Sequence, residues 1–101
     1  MFHCVILFQL KPDIALDRVR AAREALQDLV ETMPGVEHLT VTHNLAKDRA
    51  GFNLVLFSGF ESKDACDIFL RHPEYVRVRE EDLGPIIESH LMAQGGDDDT
   101  I

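Results

Sequence analysis

The sequence predicts an α+β fold in which one four-stranded antiparallel sheet carries two helices on a single face. Three observations predict it. Apolar runs of strand type occur at residues 2–10, 36–43, 52–60 and 86–93. An amphipathic helical stripe separates the first run from the second, and a capped helical segment separates the third from the fourth. The chain has 101 residues, which is one small domain with a modest core.

The first strand, FHCVILFQL at 2–10, is rich in β-branched and aromatic residues and stops at Pro12. Alternation places His3, Val5, Leu7 and Gln9 on one face. Phe2, Cys4, Ile6, Phe8 and Leu10 form the other, a wholly apolar face that needs a cover. Residues 16–33 read as a helix, because Val19, Ala22, Leu26, Leu29 and Met33 recur at steps of three and four. MPG at 33–35 ends it. Ala15 and Leu16 are poor caps, which leaves Asp13 or Asp17 for that role.

VEHLTVTH at 36–43 alternates and forms the second strand; NLAKDRAG is then a polar loop. FNLVLFSGF at 52–60 is the third strand, with Gly59 marking a bulge or a close approach. Ser62 N-caps a second helix through Arg71, and Pro73 ends it or starts a short one. Residues 75–83 are read as helical and IIESHLMA at 86–93 as the fourth strand. The domain thus spans 1–94, and 95–101 is an acidic disordered tail.

The order β-α-β-β-α-β is the ferredoxin-like split βαβ arrangement. Helices cover one sheet face and leave the other bare. The first strand is apolar on both faces, so the bare face is expected to meet a second copy and close a dimeric α+β barrel about a two-fold axis. Ile6 is assigned to the bare face, and Ile6→Glu is expected to break the dimer. His3 and Val5 then face the helices.

A net charge of −8, from 18 acids against 10 bases, argues against a nucleic-acid partner. Cys4 and Cys66 lack CxxC spacing and read as small buried hydrophobes in a reducing compartment, with a disulfide between them left open. No signal-peptide pattern and no membrane-length apolar run appears, so a cytoplasmic location and no membrane partner are expected. The absence of GxGxxG, P-loop, GxSxG and HExxH motifs leaves only cofactor-free chemistry. His38, His43 and His90 show no metal-ligand spacing and read as surface residues, and Asp97 to Asp99 as a solvated tail.

FHCVILFQLKPD, MPGV, GFNLVLFSGFES and RHPEYV together resemble the stress-responsive dimeric A/B barrel (Dabb) family, over nearly the whole folded chain. The resemblance implies a ferredoxin-like monomer and a homodimer sharing a central barrel. The related olivetolic acid cyclases close a polyketide chain by aldol condensation in a pocket between sheet and helices. Carried over by position, their catalytic base falls at Tyr75 and its tyrosine helper at Phe69. A pocket histidine on the first strand matches His3, and one on the third strand falls at Leu54. With base and helper both replaced, that cyclase mechanism is not expected here. Some relatives hold magnesium on backbone carbonyls around the end of the first helix, which implies Val30, Met33 and Val36; no other cofactor is expected.

Read on their own, His72 closes a helix by bonding a backbone carbonyl or contributes to a pocket. Histidine titrates near neutrality, which makes His3 the candidate general base. Tyr75, the one tyrosine, is the candidate donor to an oxyanion. The expected pocket comprises His3, Val5, Leu54, Phe69, His72 and Tyr75, and takes a small, partly apolar molecule. The alternatives are a cofactor-free cyclase, lyase or monooxygenase using His3 and Tyr75, and a structural stress protein without a ligand.

Overall fold

The elements follow the predicted order in the computed structural model, which describes residues 1–97. Strand β1 (Phe2–Leu10) leads to helix α1 (Leu16–Asp28), which tightens into a 3-10 turn at Leu29–Glu31. Strands β2 (Val36–His43) and β3 (Leu54–Phe60) follow. Helices α2 (Lys63–Arg71) and α3 (Pro73–Val78) come next, and α3 runs into a π-helical turn at Arg79–Leu83 before strand β4 (Ile87–Gly96). The sheet order is β2-β3-β1-β4 with every neighbouring pair antiparallel. This is the ferredoxin-like α+β fold.

Local chemistry explains the joints. Ser62 caps α2 by accepting from the Ala65 amide at 3.1 Å. Helix α1 has no side-chain cap: Ala15 occupies the N-cap position, Asp13 takes up a left-handed conformation ahead of it, and Asp17 lies in the first turn. Gly35 sets the turn into β2 at φ +88, and a Cβ there would stand 2.9 Å from the Ala65 Cβ. Gly59 lies opposite the register shift in β2, and the His38 ring crosses it 2.5 Å from where a Cβ would be. Of the two alternatives for this glycine, the close approach is met, while the irregularity itself lies in the facing strand.

Two corrections follow from strand pairing. Strand β4 runs on to Gly96, with Gly95 opposite His3 and Gly96 opposite Phe2, so these glycines belong to the sheet and not to the tail. Asp98 and Asp99, also assigned to the tail, lie outside the described residues. The second correction concerns the faces of β1. Cys4, Ile6 and Phe8 are buried in one cluster with Ala22, Leu26, Cys66, Phe69 and Val78 of the helices. Ile6 is 1% exposed and therefore lies beneath the helices. The bare face carries His3, Val5, Leu7 and Gln9. There Val5 pairs with Phe57 and Ala93, and Leu7 with Val55 and Leu91. Phe57 and Leu91 are 45% and 55% exposed, which identifies this face as uncovered. Alternation separated the two sets, but both are apolar at their centres. The helices took the set with no polar member.

Candidate functional site

The α2–α3 junction builds the site. His72 ends α2 and begins α3, and Pro73 fills the first position of the new helix. The His72 Nδ1 accepts from the Glu74 amide at 3.1 Å, so the ring caps a helix N-terminus and does not bond a carbonyl as expected. The bend brings Tyr75 under the helices, 3% exposed. Its ring meets Phe69 edge-on, centroids 4.8 Å apart, and Phe69 leans on Phe60 at 5.4 Å. One turn later the Arg79 guanidinium carbon stands 5.8 Å from the Tyr75 centroid.

A cavity of about 460 Å³ opens between this segment and the β1–β4 half of the sheet. Ile6, Phe8 and Met92 form its floor, Leu70 and Tyr75 its wall, and Arg79, Glu80 and His90 its polar rim. The size and the few polar groups suit a small organic ligand. The Tyr75 hydroxyl has no hydrogen-bond partner among the described residues, and no described buried side-chain polar atom is sealed without one. Tyr75 itself lines the cavity. Burial pushes the Tyr75 phenol above its usual range, partly offset by the positive charge of Arg79. The group is thus a protonated donor at neutral pH.

Of the residues expected in the pocket, only Tyr75 lines this cavity. His3 and Val5 stand on the opposite face of the sheet, so His3 does not project toward Tyr75. Its Nε2 instead binds Asp97 Oδ1 at 2.6 Å. That contact, foremost as a hydrogen bond, holds the Asp97 carboxyl below its usual range. Leu54 is 1% exposed in the core. Phe69 sits behind Tyr75 and orients it, and His72 caps the helix that carries it. Val30 lies in the 3-10 turn, Met33 is buried beside it, and Val36 opens β2 opposite Phe60.

His90 was missed as a pocket residue. It pairs with Phe8 and so shares the helix side of the sheet, exposed but at the cavity rim. Its face depends on the β1–β4 register, which shifts between Gln9 and Leu10. Alternation within β4 alone could have shown that His90 and Met92 share a side. It could not have shown which side.

Residues 2–94 match the family model described as Stress responsive A/B Barrel Domain. No curated protein matches the chain. Among solved structures, a protein from Arabidopsis thaliana superposes with a TM-score of 0.87 at 17% identity, over 100% of this chain and 99% of that one. The hydroxynitrile lyase from Passiflora edulis gives 0.85 at 14% identity, over 99% and 95%. A dimeric ferredoxin-like protein of unknown function from Thermobifida fusca gives 0.79 at 15% identity, over 93% and 88%. At these identities the likeness is one of fold.

Proposed function

Because the chain belongs to the stress responsive A/B barrel family, we propose that it is a homodimeric barrel protein that binds a small, mostly apolar molecule between sheet and helices. The observation that carries this reading is Tyr75, which lines a cavity with an apolar floor and whose hydroxyl has no hydrogen-bond partner among the described residues. The ligand it fits has an apolar body and a carbonyl or similar acceptor. Arg79 and His90 at the rim suit a polar end that reaches toward water. A thermal-shift screen against metabolites, followed by calorimetry, tests it. Tyr75→Phe should weaken the best ligand roughly threefold to tenfold, the worth of about one hydrogen bond. A flat screen would favour a structural protein without a ligand.

The homodimer rests on the bare sheet face. Val5, Leu7, Phe57, Leu91 and Ala93 make it apolar at its centre, and small sheets of this kind gain stability by covering such a face. The Thermobifida fusca protein of the same fold is described as dimeric, which supports the same closure here.

A second reading is favoured by one further observation: His90 and Tyr75 line the same cavity. Together they make an acid–base pair for cofactor-free lyase or aldol chemistry, with His90 as base in place of His3. The fold shared with a hydroxynitrile lyase makes cyanohydrins the first substrates to try. If turnover is found, His90→Ala should lower kcat by about 100-fold or more, while His3→Ala leaves it unchanged. The reverse pattern would dismiss this pair.

A further inference from the structure

Beside the cavity, three sulfurs from three elements face one nitrogen. Gln94 Nε2 lies 3.9 Å from Cys4 Sγ on β1, 3.9 Å from Cys66 Sγ on α2, and 3.3 Å from Met92 Sδ on β4. The two thiols are free and buried. Sulfur is a weak acceptor, so an amide that spends its N–H groups on three sulfurs is an unusual arrangement. Its partial positive charge occupies the place a soft cation would take.

We propose that Cys4, Cys66 and Met92 form a binding site for a soft monovalent d¹⁰ cation of the Cu(I) and Ag(I) type. Two thiols and a thioether are the donor set that favours such ions over magnesium or calcium. Binding displaces both thiol protons: one cation and two thiols give a bis-thiolate complex of charge −1 and two protons released to solvent. Swung aside, the Gln94 amide remains within reach to donate to the anionic sulfurs. Entry is available through Met92, which lines the cavity and is 39% exposed, and past Gln94, which is exposed on the edge strand. Burial pushes the Cys66 thiol up to about 12, so protons compete and affinity should rise with pH. The ion would tie β1, α2 and β4 together and so stabilise the fold.

Anaerobic titration of the full chain with Ag(I), and with Cu(I) buffered by a chromophoric chelator, tests the proposal. The expected result is one ion per chain, two protons released, and a raised melting temperature. Cys4→Ala and Cys66→Ala should each lower affinity roughly 100-fold, and Met92→Leu roughly tenfold, as loss of a ligand does. Met92→Leu leaves both buried thiols in place and keeps the test open if a cysteine variant fails to fold. The proposal is overturned by no binding, by binding that the double alanine variant retains, or by an unchanged affinity in Met92→Leu.

Discussion

Tyr75 is the residue whose chemistry is easiest to isolate. The chain has one tyrosine and no tryptophan, so phenolate absorbance reads a single group. Burial raises its folded pKa above the ordinary 10.0. Its contribution to stability is therefore fully present below the unfolded value and is lost as pH rises through the folded one. The alkaline midpoint should lie above that of the urea-unfolded chain, and Arg79→Ala should raise it further. A midpoint equal to the unfolded value would show that the ring is not buried. Asp97 has the opposite sign. Its folded pKa is lowered below 3.8 by His3, so the pair contributes above that pH and the contribution is lost as pH falls through the folded value. The difference in urea midpoint between wild type and Asp97→Asn should be small, since the pair is exposed, and should close at low pH. A difference that persists there would rule out the ion pair as its source.

At the scale of elements, the two faces of β1 respond differently to charge. Ile6→Glu buries a carboxylate in the core and should unfold the protein or cost several kcal/mol, instead of splitting a folded dimer. Phe57→Glu and Leu91→Glu lie on the bare face and should leave the circular dichroism of the fold intact. The element boundaries were largely legible in the sequence. Strand β2 at Val36–His43 and helix α2 at Lys63–Arg71 carried their own alternation, cap and proline stop. Helix α1 ends its α-helical part at Asp28, because the last turn tightens before Gly35. Strand β4 extends through two glycines that read as tail, because pairing with β1 supplies hydrogen bonds that no local propensity records.

For the whole molecule, sedimentation equilibrium should find a dimer in the wild type and monomers in Phe57→Glu and Leu91→Glu. A native monomer would remove the barrel reading. The cavity belongs to this scale as well. It is assembled from β1, β4, α2, α3 and the π-helical turn, and so from residues as distant as Ile6 and Met92. Sequence alone determined the order of the strands and main helices and the split of β1 into two faces. Those features rest on local periodicity, caps and turn residues, which neighbouring positions encode. Only the tertiary structure decided which face of β1 lies under the helices. It thereby sent His3 to Asp97 and His90 to the cavity, and brought three sulfurs around Gln94. The physical reason is that both faces of β1 are apolar at their centres. The choice between them falls to packing and strand register, which are energies of the assembled sheet and not of any one segment.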